Sequence, residues 1–169
     1  SALVRGELSP VRLDQLRAFV NEAEPNVLLH TAAISDVGYA EKHPEESYQA
    51  NVALPAALAR ASAACGCKLV SCSSDQVYNG CDPLDGPFAE DVPLAPANVY
   101  GRHKLEAEQL LAELAPDAVS LRLTWMYDLP CFGRPTHRNL LLNLLTAALR
   151  REELPLYTTD LRGVTYVRH

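Results

Sequence analysis

Tyr100 and Lys104 stand four residues apart in Tyr100-Gly101-Arg102-His103-Lys104, and on a helix that spacing puts both side chains on one face. An ammonium beside a phenol stabilises the phenolate and lowers the tyrosine pKa toward neutrality, which makes it a usable general acid or base. Upstream, an apolar run ends in Ser73-Ser74-Asp75-Gln76-Val77-Tyr78. A serine hydroxyl at that strand end can hold a carbonyl or alcohol oxygen beside the phenol. Tyr-x-x-x-Lys pairs also arise by chance on many helices, so the weight here comes from order along the chain. His30-Thr31-Ala32-Ala33 closes an earlier apolar run, and Leu121 to Tyr127 closes a later one.

Short apolar runs at Asn26 to His30, Lys68 to Cys72 and Ala118 to Leu123 read as strands buried on both faces, with a weaker fourth near Pro155 to Tyr157. Between them Val11 to Glu24, Glu45 to Ala64, Tyr100 to Leu114 and Asn139 to Arg151 carry apolar residues at helical spacing. Strand feeding helix along the chain predicts an α/β fold, a parallel sheet covered by helices. Ligands of such sheets bind outside the carboxyl ends of the strands. Asn79 to Asn98, with four prolines, predicts a long irregular loop between the serine motif and the tyrosine helix.

At 169 residues, with 48% hydrophobic and 21% charged residues, the chain has the composition of a protein with a real core. A net charge of −6 and pI near 5.3 argue against a general affinity for nucleic acid or an anionic membrane. No apolar run approaches the roughly 18 to 20 residues of a membrane span, and the start lacks a signal-like pattern, so a cytoplasmic location is expected. The five cysteines are odd in number and lack paired metal-ligand spacing, which predicts reduced thiols and no metal.

Taken jointly, the Pro25 to Ala33 segment, Asp36, Ala40-Glu41, Asn51, Ser74-Asp75, Tyr100-Gly101-x-x-Lys104-x-x-x-Glu108 and Arg122 to Tyr127 resemble the extended short-chain dehydrogenase/reductase superfamily, and within it the dTDP-4-dehydrorhamnose reductase branch. The likeness runs from about Leu13 to Val167. It implies a three-layer Rossmann-like parallel sheet with helices on both faces, NADP or NAD as cofactor, and a nucleotide-sugar substrate. Position by position, it implies Ser74, Tyr100 and Lys104 as the catalytic set, with Lys104 also gripping the nicotinamide ribose. Thr31, Ala32, Ala33 and Asn51 fall on the cofactor side together with Tyr100 and Lys104, Asn51 as a helix residue that supports the catalytic site, and Asp75, Gln76 and Trp125 fall on the sugar side. Bland readings stand beside these: Ser74 as a strand-end cap, Trp125 as core, Asn51 as a surface residue. His30 and His103 read as structural or solvent-facing, and Asp36 and Glu41 as an exposed acidic face.

Three departures qualify the resemblance. No glycine-rich phosphate loop is present among the eight glycines, although the superfamily holds the pyrophosphate there. The substrate lobe is also mostly missing, so residues 1–169 read as a partial, incomplete dinucleotide-binding domain. An exposed edge on the Asn26 to His30 strand would then drive self-association. Gln76 replaces the tyrosine common in the reductases and the glutamate of the 4,6-dehydratases. Being neutral, it cannot be the base for elimination of water. The leading expectation is a reductase of a 4-keto nucleotide sugar. The alternatives are an epimerase, or a non-catalytic relative like the regulatory subunit of methionine adenosyltransferase.

Overall fold

The computed structural model describes residues 13–81, 87–128, 140–156 and 163–167. The chain divides into two compact units, Ser1–Arg122 and Leu123–His169. In the first, α1 (Leu13–Ala23) leads to β1 (Val27–His30), then α2 (Val37–Lys42), α3 (Pro44–Tyr48), a π-helical turn (Gln49–Ala53), α4 (Leu54–Cys65) and β2 (Lys68–Ser74). A 3-10 turn (Asp75–Tyr78), α5 (Val99–Leu114) and β3 (Val119–Leu123) follow. The strands lie side by side in the order β1-β2-β3. β1 and β2 run parallel, with Leu28 opposite Leu69 and His30 opposite Ser71.

Alternation along the strands decides what each face meets. Leu28 and Leu69 turn inward onto Leu16 of α1, Leu54 and Leu58 of α4, and Leu111 of α5. The alternate residues Val27 and Leu29 are 53% and 63% exposed. Thus the described helices that pack on this sheet cover one of its faces. α4 is rich in alanine, and the small buried Ala57, Ala59 and Ala61 let it sit closely between its neighbours α1 and α5.

The predicted single helix over Glu45 to Ala64 is interrupted. Pro55 has no N–H to give the Asn51 carbonyl four residues back, and the ladder widens into the π-helical turn just before it. α2 was not anticipated by apolar spacing; its signal is Asp36, whose carboxylate caps the helix by accepting from the Tyr39 N–H at 2.7 Å. Asp36 is therefore a cap, more than part of an acidic face. Glu41 likewise accepts from the Val99 N–H at 2.7 Å, holding the start of α5.

The second unit holds β4 (Trp125–Tyr127), α6 (Leu140–Arg150) and β5 (Val164–Tyr166), with β4 and β5 parallel. The expected strand near Pro155 is corrected: Pro155 and Leu156 are irregular, and Tyr157 lies outside the described residues. Val164-Thr165-Tyr166, β-branched and aromatic with no proline, pairs instead. No described helix is long and apolar enough to cross a membrane.

A mostly buried ion pair ties the first unit together. Glu108, on α5, accepts from Arg122 on β3 at 2.8 and 3.1 Å, and from the Ser73 hydroxyl of β2. Arg122 Nη1 also donates to the Tyr78 hydroxyl and to the Glu90 carbonyl, both at 2.8 Å. The loop from Asn79 is closed at its far end by the Ala97 N–H donating to the Asn79 carbonyl at 2.8 Å. Gly80 makes that closure feasible, since its φ is +100° and a Cβ there would stand 2.7 Å from the Ala95 carbonyl oxygen.

Removing the guanidinium alone leaves a buried carboxylate without its counter-ion, so Arg122→Met should cost about 3 kcal/mol or more in urea unfolding. The double variant Arg122→Met/Glu108→Met should recover much of that loss. A double variant no more stable than the single one would show that the unpaired charge is not the cause. His30 gives a second test. It is 5% exposed, its Nδ1 lies 3.0 Å from the Ser71 hydroxyl, and burial first, then the Lys104 charge, lower its pKa to about 4. The folded state therefore resists a proton that the unfolded chain accepts near 6.5. This contribution is intact above pH 6.5 and falls away toward pH 4, by about 3 kcal/mol. His30→Asn should flatten the loss of stability over that interval; an unchanged pH profile would refute the assignment to His30.

Candidate functional site

β2 ends at Ser74, whose backbone is extended while its hydroxyl accepts the Gln76 N–H at 3.2 Å, so that the strand turns directly into the 3-10 turn. The capping reading of Ser74 is thus correct as far as it goes. Its hydroxyl also donates to Asp75 at 3.1 Å and lies near enough to the Tyr100 phenol to act on its pKa. α5 brings Tyr100 there because Asn98 caps its first turn, accepting the Gly101 N–H at 2.7 Å. Gly101 is needed for the approach: a Cβ on it would stand 2.5 Å from the Gln76 carbonyl oxygen and 2.9 Å from Pro96 Cβ. One turn along, Lys104 lies with its Nζ 5.7 Å from the centre of the Tyr100 ring. Ser74, Gln76, Tyr100 and Lys104 are all buried.

The protonation states differ from the expectation of a lowered tyrosine. Tyr100 is raised above its ordinary value, chiefly by burial; the Ser74 hydrogen bond draws it down, while Asp75 and Cys72 push it up. Lys104 is not among the causes, because its ammonium donates to the Cys72 carbonyl at 2.9 Å. Its own pKa is lowered to about 8 by burial, against the opposing pull of Cys72 and Glu108. At neutral pH the pair is therefore a neutral phenol beside an ammonium, a proton donor ready for use. Lys104 gives one of its three N–H donors to Cys72, and the others meet no acceptor among the described residues. Such a donor set suits the hydroxyls of a ribose.

Thr31, Ala32 and Ala33 follow β1 at the same sheet edge, Thr31 exposed and the two alanines half-buried. Asn51 does not lie open to a ligand. It is fully buried, its Oδ1 accepting the Ile34 N–H at 3.1 Å and its Nδ2 donating to the Ile34 carbonyl and the Ser47 hydroxyl. These contacts make Asn51 a brace for the loop after β1, in keeping with a residue that supports the site, and the surface reading falls. Asp75 is half-buried and Gln76 buried, side by side after Ser74. Trp125 belongs to the second unit, on β4, and at 41% exposure it is not core. His103 pairs with the Ser47 hydroxyl at 2.9 Å, a partner that sequence did not offer.

Sequence reasoning assigned no role to Asn98, Ser73 or Arg122. Asn98 carried a readable signal, an N-cap residue immediately before a helix. Ser73 and Arg122 carried none, since their partner Glu108 is 35 and 14 residues away.

The whole chain, residues 1–169, matches the family described as RmlD substrate binding domain. The dTDP-4-dehydrorhamnose reductase of Mycolicibacterium smegmatis is 38% identical over 68% of this chain. Methionine adenosyltransferase 2 subunit beta of Bos taurus is 35% identical over 64%. The crystal structure of dTDP-4-dehydrorhamnose reductase from Bacillus anthracis in complex with NADP is 30% identical, superposes with a TM-score of 0.78 and covers 90% of the chain. The chain spans 34% and 31% of those two curated relatives and 51% of that structure. A parallel sheet with Ser74 at the end of β2, and α5 bringing Tyr100 and Lys104 to that end, agrees with a match that extends from the first residue to the last, and the chain belongs to the RmlD substrate binding domain family.

Proposed function

We propose that the protein carrying this chain is an NAD(P)-dependent reductase of a 4-keto nucleotide sugar. The observation that carries this reading is the convergence of three buried groups, with the Ser74 hydroxyl near enough to the Tyr100 phenol to draw its pKa down and the Lys104 ammonium over the face of its ring. The names of its relatives support it, as does the NADP bound to the Bacillus anthracis enzyme. A bound nicotinamide would supply the hydride. The chain's own residues supply position and the proton. Ser74 holds the C4 oxygen of the sugar against the phenol, and Tyr100 donates its O–H proton to that oxygen as it gains charge. The raised pKa of Tyr100 keeps that proton in place until the carbonyl is reduced. Lys104 turns its unused N–H donors to the ribose. Thr31, Ala32 and Ala33 give the cofactor a wall of small side chains, while Asp75 and Gln76 face the sugar.

Tyr100→Phe removes only the acidic proton, so turnover of a dTDP-4-keto-6-deoxyhexose with NADPH should fall by about 10²- to 10⁴-fold, with cofactor affinity nearly unchanged. Steady-state kinetics showing wild-type turnover by the phenylalanine protein would dismiss the assignment. The pH profile tests Lys104. Its ammonium form is populated below about pH 8 and lost above it, so kcat/KM should decline as pH rises through that value. Lys104→Arg, which keeps its charge, should move the decline to higher pH in whatever activity it retains. A limb unmoved by this change would assign the titration to another group.

A further inference from the structure

A chain of hydrogen bonds runs from Ile34, just behind the cofactor wall, through Asn51 and Ser47 to His103 on α5, and its sense follows from its first link. The Ile34 backbone N–H can only donate and meets Asn51 Oδ1 at 3.1 Å, while the Ile34 carbonyl can only accept and takes Nδ2 at 3.0 Å. The orientation of the Asn51 amide is thus fixed twice. Nδ2 also donates to the Ser47 hydroxyl at 3.1 Å, so Ser47 is an acceptor there and still has its own proton to place. The other partner of that hydroxyl among the described residues is His103 Nδ1, at 2.9 Å. Ser47 is fully buried, and a hydroxyl proton enclosed without an acceptor is costly. Ser47 therefore donates to His103, which puts the lone pair on Nδ1 and the ring proton on Nε2.

The His103 end of this chain is the one that meets solvent. His103 is half-buried on α5, whereas Asn51 and Ser47 are enclosed and Ile34 directly follows Ala33. We propose that His103 is a positioning residue for the cofactor site, holding the segment behind Ala33 through Ser47 and Asn51, and doing so only while its Nδ1 is free of a proton. This rests on the reductase reading above and adds to it a residue that touches neither cofactor nor substrate. A proton on Nδ1 makes that atom a donor, so the Ser47 hydroxyl must turn away and its own proton is left without an acceptor. The groups that face His103 set where this happens. Burial lowers its pKa from the ordinary 6.5; Glu106 of α5 opposes, Arg102 of α5 adds to the lowering, and Glu41 of α2 opposes. From α3 the Tyr48 ring stands edge-on at 5.6 Å. The proton is therefore taken up below pH 6.5, and the brace weakens there.

Two measurements on the protein carrying this chain test the proposal: NMR of the imidazole nitrogens and calorimetric titration with NADPH. Above about pH 7 the His103 signals, identified by their loss in His103→Asn, should show a proton on Nε2 and a bare Nδ1. His103→Phe and Ser47→Ala should each weaken NADPH by about threefold to tenfold. His103→Asn should restore most of that affinity, because its side-chain oxygen can accept where Nδ1 accepts and does not titrate. The cofactor phosphate itself titrates near pH 6, so the quantity to follow is the ratio of wild-type to His103→Asn affinity. That ratio should fall by about threefold or more as the pH drops from about 7.5 to about 5.5. Should His103→Phe fail to fold, the tautomer and the ratio still decide. A proton on Nδ1 at the higher pH, wild-type affinity in both His103→Phe and Ser47→Ala, or a ratio that does not change with pH overturns the proposal and leaves a Tyr100-dependent reductase intact. A wild-type protein that does not bind NADPH overturns the cofactor reading and this inference with it.

Discussion

A carboxylate taken out of water must be paired, and in this protein that constraint falls on Glu108. Its partners come from two strands, Arg122 of β3 and Ser73 of β2, while it rides on α5 itself. α5 therefore cannot rotate or slide along the sheet without breaking a charged contact. Because Lys104 lies one turn before Glu108 and Tyr100 a turn before that, the same anchor fixes where the ammonium and phenol arrive. Arg122 extends the tie to the Tyr78 hydroxyl and the Glu90 carbonyl, bringing the turn after β2 and the long loop into register with the helix.

The other end of α5 is held by close approach. Gly101 brings the helix backbone against Gln76, Asn98 closes the first turn, and Glu41 reaches from α2 to the Val99 N–H. Burial of this end has an electrostatic consequence. Tyr100 and Lys104 are both pushed toward their neutral forms, the phenol raised and the ammonium lowered to about 8. A proton donor that retains its proton is suited to reduction of a carbonyl, where the proton is needed only as the oxygen becomes negative.

Around this centre the remaining polar residues brace the site without entering it. Asn51 is the plainest case, since the π-helical turn before Pro55 turns its amide onto the Ile34 backbone and so fixes the segment following Ala33. His30 is paired across the β1–β2 register with Ser71, and the Lys104 charge contributes to keeping it neutral. Sheet edge, loop and helix are thus linked through polar groups buried between the layers.

The α/β class, the three strands and the helical stretches were legible in the sequence because apolar periodicity is a local property, set by residues a few positions apart. The shared face of Tyr100 and Lys104 and the strand-end position of Ser74 were legible for the same reason. Other features depended on segments brought together by folding. The proline-led break before α4 and the cap at Asp36 had local signals, yet apolar spacing alone passed over them. Burial of Asn51, the raised phenol and the partners of Arg122 and His103 required contacts between residues tens of positions apart. The sense of the Gln76 amide is the clearest example: sequence shows only that glutamine is neutral, whereas the placing of its oxygen as an acceptor follows from the Gly101 N–H acting through Asn98. Periodicity fixes which face a residue occupies, but protonation and hydrogen-bond polarity are set by the neighbours with which it is enclosed.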